Sequence, residues 1–337
     1  MRLKRLSQSV ALSISLVSAI PAAFAGESAP VDSRAITEFR IGRPEKVFGR
    51  LEFLGGLELY SRNRLFGALS AIRFREDGRH FVGVLDTGHW LTGRVVRDAE
   101  GRLSGVEDVV ITPMKDRTGR TYEGKGRMDA ESMALHGDSI LVGFEQRHRI
   151  EAYPDPGFED SPSTRSVPIL IPPNSLRGNR GLEALAVAPQ NGPLKGGTVA
   201  VSEKSLDRQG NLLAAILDGP LQGRFSVRPD GEFDVTDGAF LPSGDLLLLE
   251  RRFNMASGIG MRLRLIKGGD IKPGAVVDGE VLIDTDFGYQ IDNMEGLDVF
   301  QAADGSTHLV MVSDDNHSIL QRTVMLEFQL EQEPLTR

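Results

Sequence analysis

The residues best suited to chemistry in this chain are acids that recur at matched places. Five segments close on a carboxylate: Asp86, Glu145, Glu203, Glu250 and Asp314. Four of the same segments also open on one: Glu131 (with Asp129 two residues earlier), Glu183, Asp237 and Glu295. Carboxylates brought together repel one another and hold their protons more tightly unless cations intervene. The cations can be a bound metal or basic side chains. Oxygen-rich clusters suit Ca²⁺ or Mg²⁺, with Ca²⁺ preferred here, whereas added histidine would suit Zn²⁺ or Mn²⁺. Glu131, Glu183, Glu295 and Asp314 are the candidate metal ligands. Basic partners lie close in sequence: Arg147, Lys204, Arg251 and Arg252 follow three of the closing acids, while Arg127 and Arg180 precede two opening ones. Arg147, Lys204 and Arg251 would grip an anionic substrate, flanked by Asn293 and Asn316. The same charges also read as ion pairs joining neighbouring structural units.

Histidine sorts by the same spacing. His89, His148 and His317 each fall three residues after a closing acid, whereas His80, His136 and His308 lie nearer the turns. His317, beside Asp314, Asp315 and Asn316, is the candidate for proton transfer near neutral pH. With Glu295 and Asp314 it completes a candidate catalytic set. No H-E-x-x-H, G-x-S-x-G, P-loop or G-x-G-x-x-G pattern is present.

The elements that must position these residues are hairpins. Ser70–Asp86, Glu131–Glu145, Glu183–Glu203, Asp237–Glu250 and Glu295–Asp314 each consist of an apolar run, a turn-rich centre and a second apolar run. The turn falls at the midpoint, so the first and last residues of each copy meet at the open end of the hairpin. Two further strand-like runs follow most copies. Only Val324–Leu330 follows the fifth, and Leu51–Leu59 supplies the missing strand from the N-terminal side. Four strands per unit, closed by strands from both ends of the chain, predict an all-β fold: a single β-propeller of four-stranded antiparallel blades. The count gives five blades, or six if Ala35–Leu59 contributes more than one strand. Two stacked β-sandwiches are the competing architecture. In a propeller the innermost strands line the axial channel. Asp129, Glu131, Glu183, Asp237 and Glu295 would then ring its mouth, with the five closing acids in a second ring outside.

The chain as a whole limits the compartment and the partners. Residues 1–25 carry Arg2, Lys4 and Arg5, then an apolar stretch, then Ala23-Phe24-Ala25, which is the layout of a secretory signal peptide. Residues 26–337 then form the propeller domain, in the periplasm or secreted. The formal net charge is −8, or −11 without the three basic residues of the leader. Such an acidic chain is a poor binder of nucleic acid or anionic membrane. No later segment is long and apolar enough to span a bilayer, and the absence of cysteine excludes disulfides and thiol chemistry. A monomer acting on a small anionic ester, or holding another ligand, is expected.

Five motifs in order carry a family resemblance. They are Phe66-Gly67-Ala68-Leu69-Ser70, Asp129-Ala130-Glu131-Ser132-Met133, Asn179-Arg180-Gly181-Leu182-Glu183, Leu248-Leu249-Glu250-Arg251, and Asn293-Met294-Glu295-Gly296-Leu297 with Ser313-Asp314-Asp315-Asn316. Together they resemble the bacterial phytase-like propeller family, described as having esterase-like activity of phytase. The resemblance runs from about Phe66 to Leu330. It implies a propeller, export, and hydrolysis of phosphate or related esters. Ala68 departs from it, standing where the family commonly has glycine. No metal cluster of the calcium-dependent alkaline phytases is recognisable residue by residue. A non-catalytic propeller binding a ligand or protein, and a lactonase-like enzyme with one metal at the channel mouth, remain the alternatives at this stage.

Overall fold

The structure, a computed structural model, describes residues 26–331 apart from residues 123, 177, 179 and 255–257. The expected signal peptide, residues 1–25, and Asn179 of the third motif lie outside the described residues.

Each apolar hairpin forms the inner half of a blade because its strands are buried on both faces, one against each neighbouring blade. Blade 1 runs outward from Leu69–Phe74 through His80–Leu85 and His89–Arg97 to Leu103–Pro113, with Glu27–Ser28 added at its edge. Blade 2 holds Ala130–His136, Ser139–Phe144, Arg149–Pro154 and Arg165–Val167. Blade 3 holds Leu182–Val187, Thr198–Leu206, Leu212–Ile216 and Gly223–Val227. Blade 4 holds Asp234–Phe240, Leu246–Asn254, Gly258–Ile266 and Glu280–Asp286. Blade 5 holds Asn293–Gln301, Thr307–Asp314 and Thr323–Leu330, completed by Leu51–Ser61 and then Val31–Ile36. The five inner strands touch in sequence, the last against the first, so the ring closes. The only helical elements among the described residues are the short 3₁₀ turns Pro173–Ser175 and Gly268–Asp270. No described helix is long and apolar enough to cross a membrane.

The five-bladed count holds and the sixth blade does not form. Val31–Ile36 and Val47–Phe48 both pair with Leu51–Ser61 and thicken blade 5 instead. The closing strand pairs with the C-terminal one from Thr323↔Leu59 to Leu330↔Leu51. The strand-like run Val276–Ile283 is divided between two blades. Val276–Val277 adds in parallel to the edge of blade 3, whereas Glu280–Asp286 is the outer strand of blade 4. Gly279 marks the division: a Cβ there would lie 2.6 Å from the Leu265 carbonyl oxygen.

Blades pack through apolar layers. Between blades 1 and 2, Trp90 meets Tyr153 edge-on at 5.0 Å and Phe158 at 4.8 Å between ring centroids. In blade 5, Phe39 sits among Phe53, Phe328 and Tyr289, tying the N-terminal segment to the closing strands.

Candidate functional site: a carboxylate cup at the channel mouth

The inner strand of every blade carries a one-residue bulge near its start. The register breaks between Leu69 and Ala71, at Ala130/Ser132, between Leu182 and Ala184, between Val235 and Asp237, and between Met294 and Gly296. A bulge leaves its extra residue unpaired and re-aims its side chain. The bulged residues are Ser70, Glu131, Glu183, Thr236 and Glu295. A second matched position lies on the neighbouring strand. The N–H groups of Asp86, Glu145 and Glu203 donate to the carbonyls of Ala68, Asp129 and Gly181. Arg251 and Asp314 take the same place opposite Asp234 and Asn293.

Blade 4 thus departs by one residue from the arrangement expected from sequence. Its contributions to the two rings are Thr236 and Arg251, in place of Asp237 and Glu250. Successive residues of a strand face opposite ways, so the offset turns both acids elsewhere. Glu250 points into the blade and pairs with the fully buried Arg264. Asp237 points into the channel below the cup, where Arg73 grips both its oxygens at 2.8 Å. The same guanidinium donates to the carbonyls of Leu185 and Leu297, at 3.0 and 2.8 Å. Asp298, buried nearby, accepts the Phe74 N–H at 2.6 Å and is pushed up to about 6 by burial. This knot of buried charge joins the inner strands of blades 1, 3, 4 and 5 below the cup.

The tightest meeting of acids is in blade 2, where one oxygen each of Asp129, Glu131 and Glu145 lies within 4.8 Å of the others. Glu131, one of the four expected metal ligands, belongs to this group. Burial, then the charges of Asp129, Glu145, Asp86 and Glu295, raise its proton affinity well above the usual carboxylate range. Glu183 is raised likewise, by burial first and then by Glu131 and Glu145, and it shares a hydrogen bond with Glu145. Glu145 also accepts the Gly181 N–H at 2.5 Å. Oδ1 of Asp129 is buried without a hydrogen-bond partner, and so is Oδ1 of Asp86. Hard oxygen donors, mutual repulsion and an orphaned buried oxygen are what a divalent cation would satisfy. The donor set therefore fits Ca²⁺ or Mg²⁺ better than a softer metal.

The other two expected ligands lie toward blade 5. Glu295 is pushed up to about 8, chiefly by burial and against the pull of Arg251. Asp314 is pushed up to about 7 by burial, although the Asn316 N–H donates to it at 2.6 Å. Arg251 is the cation of this side. It lies 3.3 Å from Glu295 and 3.9 Å from Glu203, and it donates to the Asn293 side chain. Asn293 in turn donates to Glu295 at 2.9 Å. Lys204 is 2.7 Å from Asp234, which Arg180 also approaches. Lys125, from a loop that sequence reasoning left unread, pairs with Asp86.

Arg147 is exposed and stands outside the acid group, beside a surface hollow shared with Arg117, Tyr122 and Arg127. His317 is exposed on the loop after Asp314, its backbone N–H bound to Asp315. His89 is buried, with its ring 3.0 Å from the Thr87 hydroxyl, and burial lowers its pKa.

Between blades 4 and 5, beside the cup at Arg251 and Asn293, lies a cavity of about 400 Å³. Arg251, Arg252, Phe253, Ile259, Asn293, Asn316 and Leu320 are among its walls. Two of the expected substrate-binding residues, Asn293 and Asn316, thus share a cavity with Arg251. Its apolar wall went unpredicted, although Phe253 after two arginines and Ile319-Leu320 in a polar loop were its signal.

A family model described as phytase-like, with esterase-like activity of phytase, matches residues 64–317. The chain belongs to this phytase-like family. The matched span begins just before the first inner strand and ends in the loop holding Asn316 and His317, so it contains every cup residue named above. No curated protein matches the chain. Among solved structures, this phytase-like propeller is similar to the PQQ-bound aldose sugar dehydrogenase of Streptomyces coelicolor. The identity is 13% and the TM-score 0.40, over 90% of this chain and 100% of that one. The WD40 repeats of RRP9 match at 10% identity and a TM-score of 0.44, covering 84% and 98%. A Bacteroides caccae protein of unknown function matches at 11% and 0.32, covering 66% and 67%.

Proposed function

We propose that this propeller is an exported hydrolase of phosphate or related esters, working at the carboxylate cup with a divalent cation. The observation that carries the reading is the convergence of Asp129, Glu131 and Glu145, with a buried Asp129 oxygen that has no partner. Family membership supports ester hydrolysis as the class of reaction. The leader-like residues 1–25 support export to the periplasm or beyond.

A cation held by the Asp129 group would polarise the ester and make a bound water more acidic. The chain's own residues supply the rest. Arg251 binds and orients the anionic group of the ester and offsets charge that grows there. Asp314, with a pKa near neutrality, accepts a proton from the attacking water. Glu295 holds its proton at neutral pH and gives it to the departing ester oxygen. Water oxygen bonds to phosphorus or acyl carbon, the bond to the alcohol oxygen breaks, and an acid and an alcohol result. Arg73 and Asp237 close the channel floor and keep bulk water from entering below. His317, exposed beyond the cup, would serve as a proton relay to solvent.

The test is hydrolysis by the purified protein, metal-stripped and then resupplied with Ca²⁺, Mg²⁺, Mn²⁺ or Zn²⁺. The panel holds phosphate esters, carboxylate esters and lactones. Metal-dependent turnover that is lost in both Glu131→Gln and Glu295→Gln supports the reading, and the responsive substrate names the ester class. Folded protein that turns over nothing with any metal overturns it in favour of a binding propeller.

A further inference from the structure

The cavity between blades 4 and 5 has two unlike walls. One is cationic. Arg251 and Arg252 both line it, the Nε–H of each buried without a hydrogen-bond partner, while the one acid of the lining, Asp292, is engaged by Arg322. Arg252 is held in place by its guanidinium lying over the Phe233 ring, 4.9 Å from the centroid. The other wall is apolar and open to solvent: Phe253 is 71% exposed and Leu320 88% exposed, with Ile259 paired opposite Phe253 on the next strand. Phe287, 73% exposed, flanks the hairpin at Gly258, and Ile319, fully exposed, adjoins Leu320. Large apolar side chains are rarely left so bare together unless something covers them.

We propose that this cavity receives the apolar body of a small soluble ester whose single anionic head lies against Arg251 and Arg252. The volume of about 400 Å³ is that of a small-molecule site. Its continuity with the cup comes through Arg251 and Asn293, both of which touch Glu295. A head group at Arg251 therefore sits beside the carboxylates. Charge fixes the number of anionic groups. The basic residues within reach are Lys125, Arg180, Lys204 and Arg251, each already beside an acid, so a ligand bearing several phosphates finds too few cations for its charged groups. A ligand with one charged end and one greasy end meets an arginine pair at the first and Phe253, Ile259 and Leu320 at the second. What happens to the head group rests on the hydrolase reading above; the choice of ligand class rests on the cavity alone.

The experiment is calorimetric titration of the full protein with methyl phosphate, hexyl phosphate and inositol hexakisphosphate, with turnover of the two alkyl esters measured in parallel. Hexyl phosphate should bind at least about tenfold more tightly than methyl phosphate, since each buried methylene adds affinity. The hexaphosphate should bind more weakly than hexyl phosphate. The double variant Phe253→Ser, Leu320→Ser should remove the advantage of the hexyl chain. Both side chains are largely in solvent, so the fold does not depend on them, and circular dichroism verifies this. Equal affinity for the two alkyl esters, an advantage that survives in the variant, or tighter binding of the hexaphosphate would overturn the proposal. Binding to phosphatidic acid vesicles without binding of monomeric hexyl phosphate would overturn it in favour of a membrane surface. Preference for hexyl phosphate without turnover leaves the proposal standing and removes phosphate-ester hydrolysis from the hydrolase reading. Turnover with no dependence on chain length does the reverse.

Discussion

Arg73 in blade 1 grips Asp237 in blade 4 across the axial channel, each terminal guanidinium nitrogen 2.8 Å from one carboxylate oxygen. The two blades are not neighbours in the ring, so this pair braces it from inside. Both side chains are almost wholly withdrawn from water. Removing one partner strands the other as an uncompensated buried charge. Asp237→Ala should therefore lower stability by about 3–5 kcal/mol, measured by urea denaturation. The double variant Arg73→Met, Asp237→Leu should recover much of that loss. A single variant that costs less than about 1 kcal/mol would show that water reaches the channel floor.

Proton binding at the cup predicts how stability depends on pH. Glu295 and Asp314 have folded pKa values of about 8 and about 7, above the ordinary carboxylate range. Between the unfolded value, about 4, and these values the folded protein binds more protons than the unfolded one. Stability then falls as pH rises through that interval. Without added cation, Tm should drop steadily from pH 5 to pH 8. Millimolar Ca²⁺ should flatten the upper part of the curve, and Glu131→Gln should abolish the calcium response. Thermal scans at four pH values, with Ca²⁺ and with chelator, measure this.

Arg251 takes the place in blade 4 that acids fill in the other four blades. Replacing it by glutamine removes the cation between Glu203 and Glu295. Hydrolysis of an anionic ester should fall by about 10²-fold or more in kcat/KM. A neutral ester should lose much less. The Glu295 proton should also be held more tightly, moving the alkaline limb of the pH–rate profile upward. Equal losses on charged and neutral substrates would assign Arg251 a structural role only.

Ala68 adopts a left-handed backbone, φ 54°, directly after Gly67 at φ 114°. The first is the conformation in which a Cβ is disfavoured by about 1–2 kcal/mol, which accounts for the glycine the family commonly has there. Ala68→Gly should raise stability by about 0.5–1 kcal/mol once the added freedom of the unfolded chain is offset. A lower midpoint in urea would show that the alanine methyl is needed for packing beneath Asp315.

The blades were legible because each hairpin announces itself twice, by apolar strands and by a turn at its centre. The cup was legible in four blades for the same reason. In blade 4 it was misread because acids stand beside both true positions, Asp237 next to Thr236 and Glu250 next to Arg251. Spacing tolerates a slip of one residue, whereas a pleated strand does not. The bulge itself leaves no mark in composition. The Arg73–Asp237 brace spans 164 residues of sequence, and neither residue has a neighbour that betrays it. The apolar wall was hidden for a different reason. Phe253 and Leu320 line one cavity only because the loop after blade 5's second strand lies beside the hairpin of blade 4, and no periodic pattern connects them.

The pairing of Leu51–Ser61 with Thr323–Leu330 has a consequence for how the protein comes into being. The partner of an early strand is synthesised only after all the strands of blades 1 to 4. Until it arrives, Leu51–Ser61 waits with one edge bare, and blade 5 has no way to shut the circle. A chain that stops short of Thr323 would keep that edge unoccupied and its four finished blades splayed. Closure of the circle thereby waits on Thr323–Leu330, and a product truncated before it would carry its own visible flaw for a protease to find.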